Sequence, residues 1–520
     1  MNWWDDAVGY EIYIRSFADG NGDGVGDFHG LTEGLDHLAW LGVDVVWVTP
    51  FFPSPQADFG YDVADYTDVD PTYGDLAAFD RFVARARALG LKVMIDIVPN
   101  HTSSDHQWFR QALADPAAPT RSHYLFRPPG PGGGPPNNWV SHFGGPAWTR
   151  DEKTGEFYCH LFLPEQPDLD WRSEAVREAF DAILTFWVDR GVEGFRIDVA
   201  HSLLKDEAFR DNPQILPLGS DATPSETFAA FEHRHDLDQV ETKEIFRRWK
   251  DLPGFSDVAL VGEVYLYDDH RSASYMGDGG LDLCLFFGLN RRQWDPTAFA
   301  DEVKAWSEAS PLGFAWTIAS HDENRPPSRF GGGEVGRARA LALWTAFASL
   351  PGMPFLFQGE ELGLEDGFVA PEDSRDPVGR EAYEESRDPC RTPMPWEPGP
   401  HSGFTDGPST WLRSAPRADD ETVAAQRADP GSHLHRFRRL LEVRRLVAEL
   451  KRGKVEWLEA PPGVLAFRRD RVATVSNLTD HPVEVALPPG AWQVVYSSSP
   501  DEAAGGDRVP ARSGRIHTTV

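Results

Sequence analysis

The chain has few cysteines, no long apolar run and fewer basic than acidic residues, and each shortage argues against a class of protein. Three cysteines in 520 residues, without metal-ligand spacing, argue against a disulfide framework, so Cys159, Cys284 and Cys390 are predicted to be packing residues. No apolar stretch approaches the length that spans a membrane. With 50 basic and 82 acidic residues, the net charge of −32 argues against nucleic acid or an anionic membrane as partner. The first residues are acidic where a secretory signal is basic, so we expect an uncleaved cytoplasmic protein.

Residues 191–200 have the alternation of a buried strand that carries two charges. One predicted face is apolar (Phe195, Ile197 and Val199), and the other carries Arg196 and Asp198. A charged pair on a central strand is costly to bury, and this pattern by itself is compatible with a structural ion pair and with a functional site.

Eight strand candidates separated by helical patterns predict an α/β fold of the closed (β/α)₈ TIM-barrel type. They span residues 10–17, 43–50, 91–98, 191–200, 258–264, 281–287, 314–322 and 353–361. Helices are predicted at residues 76–89, at 174–190 with Ser173 as N-cap, and at 433–452. The predicted domains are a catalytic barrel (1–101 and 172–452), a loop-rich insertion after the third strand (102–171) and a C-terminal antiparallel β-sandwich (453–520).

Residues 19–27 place oxygen ligands at alternate positions, as calcium loops do. The predicted ligands are the side chains of Asp19, Asn21, Asp23 and Asp27 and the carbonyl of Val25. Gly30 stands where an EF-hand loop places a bidentate glutamate, so this loop is not an EF-hand. An Asx-rich turn without an ion is the alternative, and we expect structural Ca²⁺.

Polar residues follow several of the predicted barrel strands at the same end: Asp96 and His101, Arg196 and Asp198, Glu263, and His321 with Asp322. Three carboxylates without a nucleophilic serine or cysteine fit glycoside hydrolysis, in which one acid attacks and another donates a proton. Arg196 is expected to lower the pKa of Asp198, the predicted nucleophile. Glu263 is the predicted general acid and base, and Asp322 is predicted to bind sugar hydroxyls and to favour ring distortion.

The segments 96–101, 194–198, 262–263 and 321–322 resemble, in order, the four signature regions of the α-amylase superfamily of glycoside hydrolases. The resemblance implies a retaining mechanism with Asp198, Glu263 and Asp322 in the roles above. It also places three further side chains around the sugar at the cleavage point: His101, Arg196 and His321.

Residues 166–171, the calcium-type loop and residues 387–396 resemble the oligo-1,6-glucosidase and α-glucosidase branch, which usually has asparagine where Asp170 and Ser320 stand. In that branch an aspartate like Asp62 and a later arginine, here Arg387 or Arg391, grip the terminal glucose, and Tyr61 stacks on its ring. Val199 resembles the valine of members that accept α-1,6 linkages.

A closed pocket implies removal of one glucose at a time from the non-reducing end, so the expected activity is that of a retaining, exo-acting α-glucosidase. The expected substrates are small α-glucosides of the maltose and isomaltose type, with sucrose as a further possibility. The alternatives are an oligo-1,6-glucosidase, a sucrose isomerase or trehalose synthase type of transglycosylase, and a catalytically silent partner subunit. The oligomeric state is open.

Overall fold

The computed structural model describes residues 2–219, 221–290, 292–380, 382–499 and 508–519. Its strands, in chain order, are β1 Gly9–Ile12, β2 Val45–Val48, β3 Lys92–Ile97, β4 Phe126–Arg127, β5 Trp148–Arg150, β6 Phe157–Cys159, β7 Gly194–Ile197, β8 Ala259–Gly262, β9 Leu283–Cys284, β10 Phe314–Trp316, β11 Gly352–Phe357, β12 Glu456–Trp457, β13 Val464–Arg469, β14 Val472–Asn477, β15 Val483–Glu484, β16 Trp492–Ser497, β17 Arg508–Val509 and β18 Ser513–Thr519.

The helices, again in chain order, are α1 Ile14–Phe17, α2 Phe28–Leu41, α3 Leu76–Ala88, α4 Gln107–Ala114, α5 Glu174–Asp189, α6 Pro224–Ala229, α7 Thr242–Lys250, α8 Asp269–Ala273, α9 Pro296–Ala309, α10 Pro326–Arg329, α11 Gly333–Phe347, α12 Val423–Ala428, α13 His433–Leu446 and α14 Glu449–Arg452. In the described part of the chain, no helix has the length and apolar character that crossing a membrane requires.

Eight parallel strands form the predicted barrel, in the order β10-β11-β1-β2-β3-β7-β8-β9. A single parallel bridge between Leu285 and Ala315 joins its two ends. The (β/α)₈ prediction is therefore confirmed. Because the strands are parallel, their carboxyl-terminal ends all lie at the same mouth of the barrel.

The alternation along the strands separates the barrel interior from the surrounding helices. Val45, Met94 and Val261 belong to an apolar cluster inside the barrel, whereas Val46 and Ile95 belong to the larger core that includes the helices. The next inward-facing positions above that interior cluster include Asp96 and Glu263. A regular pleat thus directs charged side chains to the mouth while apolar ones close the opposite end.

All eight barrel strands end before their predicted bounds, and the first and fourth strands are examples. The first stops at Ile12, because side chains take the next two backbone donors: Gln358 accepts from Tyr13 N and Thr49 from Ile14 N. The chain then turns into α1. The strand predicted at 191–200 is β7, which ends at Ile197.

Two further segments carry antiparallel sheets. Strands β4, β6 and β5 form a three-stranded sheet within the predicted insertion. The C-terminal region holds a five-stranded sheet, β12-β13-β14-β18-β16, and the pair β15-β17. The predicted helix at 433–452 is two helices, α13 and α14, separated at Val447, which has extended backbone angles. The three cysteines are free and buried.

Candidate active site

Arg196 is the centre of the charged cluster at the barrel mouth. Its Nη1 donates to Oδ1 of Asp96 at 2.9 Å and to Oδ1 of Asp198 at 2.8 Å. Its Nη2 lies 2.8 Å from Oε1 of Glu263. The guanidinium is 2% exposed, so these charge-assisted contacts form in a largely water-free site. Three strands, β3, β7 and β8, therefore bring their carboxylates to one cation.

The second oxygen of Glu263 is held by the backbone beside the predicted nucleophile. Val199 N donates to Oε2 of Glu263 at 2.9 Å. Val199 has a φ of 43°, a left-handed conformation that is unfavourable for a β-branched residue. The turn that ends β7 thus aims a backbone donor at the predicted acid, and the strain lies next to the reacting groups.

Burial raises the pKa of the Asp198 carboxyl well above its ordinary value; Arg196 opposes this shift, and Glu263 and Asp96 reinforce it. Arg196 lowers the pKa of Asp198, as predicted, but burial outweighs this effect and the net shift of the pKa is upward. Strand spacing shows Arg196 beside Asp198, but it does not show that two more carboxylates share the same guanidinium. Burial likewise raises the pKa of Asp96 to about 6. One guanidinium thus contacts three carboxylates, and this excess of negative charge disfavours the ionisation of all three together.

Asp322 lies among cationic groups and has the opposite character. Its Oδ1 accepts from Arg391 at 2.7 Å and from Arg387 at 3.2 Å, and its Oδ2 lies 3.4 Å from Nε2 of His321. Burial opposes ionisation, but His321, Arg387 and Arg391 together hold the pKa of Asp322 well below its usual range. Both candidate arginines therefore contact the same carboxylate.

Arg387 also contacts two aspartates that were not among the predicted site residues. Its Nη2 lies 2.8 Å from Oδ1 of Asp58 and 2.7 Å from Oδ1 of Asp376. Asp62, which was predicted to bind the terminal glucose together with an arginine, accepts hydrogen bonds from Ser54 Oγ, Ala57 N and Asp58 N. Burial raises its pKa to about 6. Asp58, and not Asp62, therefore contacts the arginine of the site, and Asp62 stabilises its own loop.

Tyr61 and His321 pack face to face. Their ring centroids are 5.3 Å apart at an interplanar angle of 9°. The hydroxyl of Tyr61 donates to Oδ2 of Asp96 at 3.0 Å. Tyr61, which was predicted to stack on the glucose ring, therefore borders the carboxylate cluster. His321 covers one face of the Tyr61 ring, so a sugar could stack only on the other face.

The remaining predicted sugar-binding residue, His101, lies between two side-chain amides. Its Nδ1 is 3.1 Å from Nδ2 of Asn100, and its Nε2 is 3.1 Å from Nε2 of Gln166. Burial lowers the pKa of His101 to about 4, so its imidazole is neutral at physiological pH. The amide of Gln166 also donates to Asp58 at 3.3 Å, which connects His101 with the Arg387 side of the site.

Lys205 is a buried cation that the sequence analysis missed. Its Nζ lies 2.7 Å from Oδ2 of Asp168 and donates to Oδ1 of Asn100 at 2.7 Å. Asn100 in turn donates to Oδ1 of Asp168 at 3.1 Å. Asp168 belongs to the motif at 166–171, and its full burial was the signal that a cation had to lie nearby.

In the predicted calcium loop, the side chains bind the loop's own backbone. Asp19 accepts from Gly22 N and Gly24 N, Asn21 accepts from Asp23 N, and Asp27 caps α2 through Gly30 N. No three acidic, histidine or cysteine side chains converge as a ligand set anywhere in the described residues. The hard oxygen donors suit Ca²⁺ chemically, and the same contacts hold an Asx-rich turn.

The carboxylate cluster around Arg196 and the group of cations around Asp322 can serve different chemical purposes. The cluster around Arg196 holds more carboxylates than cations, so it can carry a proton and a nucleophilic oxygen together. The Asp322 side holds an ionised carboxylate that can accept hydrogen bonds from hydroxyl groups. Together the two groups suit a reaction in which a carboxylate attacks an acetal carbon while an acid protonates the leaving oxygen.

Comparison with known proteins agrees with this geometry. Residues 11–453 match the family model described as alpha amylase, catalytic domain, and residues 438–516 match a domain of unknown function, DUF3459. The "Probable alpha-glucosidase" of Rhizobium meliloti (strain 1021) is 38% identical over 505 residues, which cover 94% of this chain and 91% of that protein. The oligo-1,6-glucosidase of Heyndrickxia coagulans is 32% identical over 544 residues, which cover 96% of each protein.

Among solved structures, that of the α-glucosyl transfer enzyme XgtA has a TM-score of 0.93 and 37% identity, and the match covers 100% of both chains. The family match spans most of the chain, and it includes the residues that form the carboxylate cluster. The chain belongs to the alpha-amylase family of glycoside hydrolases.

Proposed function

We propose that this glycoside hydrolase is a retaining, exo-acting α-glucosidase that releases glucose from the non-reducing end of short α-glucosides. The observation that carries the proposal is that Asp198 and Glu263 bind adjacent nitrogens of Arg196. Arg387 in addition links Asp58 to Asp322. The attacking group, the proton donor and the hydroxyl-binding groups therefore all come from the carboxyl-terminal ends of barrel strands and the loops that follow them.

In the proposed first step, an Asp198 oxygen attacks the anomeric carbon while Glu263 gives its proton to the departing glycosidic oxygen. The product is a glucosyl ester on Asp198 and a free leaving alcohol. Glu263, now ionised, takes a proton from water, whose oxygen attacks the same carbon and releases Asp198 as carboxylate. Two displacements preserve the anomeric configuration.

The excess of carboxylates over cations in the cluster suits this cycle, because it favours retention of the proton that Glu263 must donate. The cluster has the same total charge whether this proton is on Asp198 or on Glu263. Both groups bind the same guanidinium, so Arg196 compensates the negative charge in either state. Substrate binding then needs only to favour one of two neighbouring protonation states.

The ion pair between Arg387 and Asp58 supports exo action. It adds a second pair of charged groups beside Asp322, and such a charged wall suits the hydroxyls of a terminal sugar better than a continuing chain. An oligosaccharide whose non-reducing glucose is chemically blocked tests this point. We expect no cleavage of the blocked substrate and release of glucose from its unblocked counterpart; equal cleavage of both would refute exo action.

Rescue of inactive variants with azide distinguishes the nucleophile role of Asp198 from the acid role of Glu263. For Asp198→Ala we expect a loss of kcat of several orders of magnitude and, with azide, a β-glucosyl azide from one displacement. For Glu263→Ala with an activated leaving group we expect the α-glucosyl azide. Glu193→Gln is the matched control, because Glu193 precedes β7 at the opposite end of the barrel and pairs with Lys92. Near-normal turnover of Asp198→Ala would remove it from the nucleophile role.

Glucosyl transfer is the second candidate function, and the similarity to the α-glucosyl transfer enzyme XgtA favours it. Hydrolysis and transfer share the glucosyl ester and differ in whether water or a sugar hydroxyl resolves it. Chromatography of products from maltose, isomaltose, sucrose and trehalose distinguishes the two. Free glucose supports hydrolysis, a rearranged or lengthened saccharide supports transfer, and no product supports a catalytically silent subunit.

We also propose that the loop at residues 19–27 binds structural Ca²⁺. Hard oxygen donors at alternate positions support this proposal, as do Gly22 and Gly24, whose positive φ values of 81° and 90° let the loop turn tightly. The ion would stabilise the loop and would take no part in the displacement.

A further inference from the structure

Glu11 is a buried acid that the proposed mechanism does not use. It lies on β1 inside the barrel and is 2% exposed. Its Oε1 lies 2.5 Å from Nδ1 of His321 and also accepts from the backbone nitrogen of His321 at 3.3 Å. This short contact reaches the histidine on the side away from the proposed sugar pocket.

The ring of His321 is fixed in position. Tyr13 and Tyr61 stack on its two sides, with centroid distances of 5.7 and 5.3 Å and interplanar angles of 9° in both cases. Its Nε2 is buried, lies 3.4 Å from Oδ2 of Asp322 and has no hydrogen-bond partner among the described residues. The ring therefore has one nitrogen on Glu11 and the other directed to the pocket.

The protonation of this pair decides what His321 offers to a ligand. If Glu11 is ionised and His321 neutral, Nδ1 carries the hydrogen and donates to Glu11. The lone pair of Nε2 then faces the carboxylate of Asp322, which is unfavourable. If one more proton is present on Glu11, its hydroxyl donates to Nδ1, and Nε2–H becomes a donor toward Asp322 and the pocket.

Surrounding charges favour the extra proton. Asp322 and Asp96 repel a negative charge on Glu11, whereas Arg196, which already serves three carboxylates, and the backbone N–H of His321 attract it. Around His321, the cations Arg391, Arg196 and Arg387 disfavour an imidazolium, while Asp322 favours one.

We propose that Glu11 is a positioning residue that holds a proton against Nδ1 of His321 and thereby keeps the Nε2–H form directed at a hydroxyl of the bound glucosyl unit. This proposal rests on the proposed function for the identity of the ligand, but the hydrogen-bond relay exists in the free enzyme. In agreement with it, burial raises the pKa of Glu11 well above its ordinary value and lowers that of His321 to about 3.

Two substitutions separate a proton-holding role from a purely structural one. Glu11→Gln replaces the hydroxyl with an amide that donates permanently to Nδ1, so we expect kcat/KM within about threefold of wild type at neutral pH. Deprotonation of the wild-type pair at alkaline pH removes the Nε2 hydrogen and raises KM; Glu11→Gln should lack this alkaline rise. Glu11→Met offers no donor, and its KM should rise about tenfold or more, with a smaller change in kcat.

Glu361→Gln is the matched control. Glu361 is also a buried glutamate bound to a histidine, His37, at 3.1 Å, but this histidine lies on α2 and not on a barrel strand. Its substitution should leave the pH dependence of KM unchanged. Melting midpoints of all variants establish that they are folded.

The tautomer is measured directly from ¹⁵N imidazole shifts of the free enzyme, with His321→Gln to assign the signals. This measurement needs no turnover, so it remains informative if no glucoside is hydrolysed and the proposed function fails. We expect a protonated Nε2 and an unprotonated Nδ1 in wild type and Glu11→Gln. A protonated Nδ1 in the wild type would overturn the proposal. So would an alkaline rise of KM that Glu11→Gln retains, or wild-type KM values in a folded Glu11→Met.

Discussion

Replacing Lys205 with methionine should destabilise the protein by much more than the loss of one hydrogen bond. Lys205 is 4% exposed and Asp168 is fully buried, and their charged atoms lie 2.7 Å apart. Methionine fills a similar volume but leaves the Asp168 carboxylate without its cation. Removing one partner of a buried ion pair costs about 3–5 kcal/mol, because the other charge remains desolvated and uncompensated.

The expected change in melting temperature follows from the size of the protein. An unfolding entropy of about 2.1 cal/mol/K per residue corresponds to about 1.1 kcal/mol/K for a chain of this length. The midpoint of Lys205→Met, measured by scanning calorimetry at one fixed scan rate, should therefore fall by about 3–5 °C. KM should also rise, because Lys205 orients the Asn100 amide that contacts Nδ1 of His101.

Lys92→Met is the matched control for this prediction. Lys92 binds Glu193 at 2.6 Å, but both side chains are about one-third exposed, so its loss should cost about 0–1 kcal/mol. The double variant Lys205→Met with Asp168→Asn removes both buried charges and should melt above Lys205→Met alone. The reasoning is refuted if Lys205→Met melts within 1 °C of Lys92→Met, or if the second substitution adds its full cost to the first.

Three further perturbations test separate parts of the structure. Asp58→Asn weakens the contact with Arg387 and should raise KM about tenfold with a smaller change in kcat. Asp62→Asn should instead lower the melting midpoint, because Asp62 binds its own loop. A rise of KM in Asp62→Asn alone would contradict these separate roles of the two aspartates. Burial lowers the pKa of His433 to about 3, so stability present above pH 6.5 is lost as pH falls toward 3, at about 1.4 kcal/mol per unit. His433→Gln should flatten the fall of the melting midpoint between pH 6.5 and 4.5, and an unchanged slope would count against this linkage. Chelation after dialysis against calcium should lower the midpoint of the wild type but not of Asp19→Asn; absence of both bound metal and any shift would reject the calcium site.

The charged residues at the barrel mouth were predictable because they follow from local pattern. Period-two alternation along β3 and β7 directs Asp96 and Arg196 inward, and the parallel arrangement brings the carboxyl-terminal ends of the strands to one mouth. Each of these arguments needs only a few consecutive residues and the number of βα units. The sequence motifs of the family identify the same positions.

Loop geometry was not predictable in this way. Asp58 and Asp62 lie four residues apart in one loop; the sequence motif pointed to Asp62, whereas the structure places Asp58 against Arg387. Phe59 and Gly60 both have positive φ values, 47° and 107°, so the chain reverses between the two aspartates. Asp58 consequently faces Arg387, while Asp62 turns back to its own backbone.

The sequence by itself determined the barrel, the enzyme family and the acidic residues at the barrel mouth, because these depend on periodicity and on short motifs that act over a few residues. Only the tertiary structure decided how many charges share each partner. Arg196 lies beside one aspartate in sequence but binds three carboxylates in space, and Glu11 meets His321 across 310 positions of chain. Protonation depends on the sum of all charges and on burial around a group, and that sum exists only once distant segments have packed together.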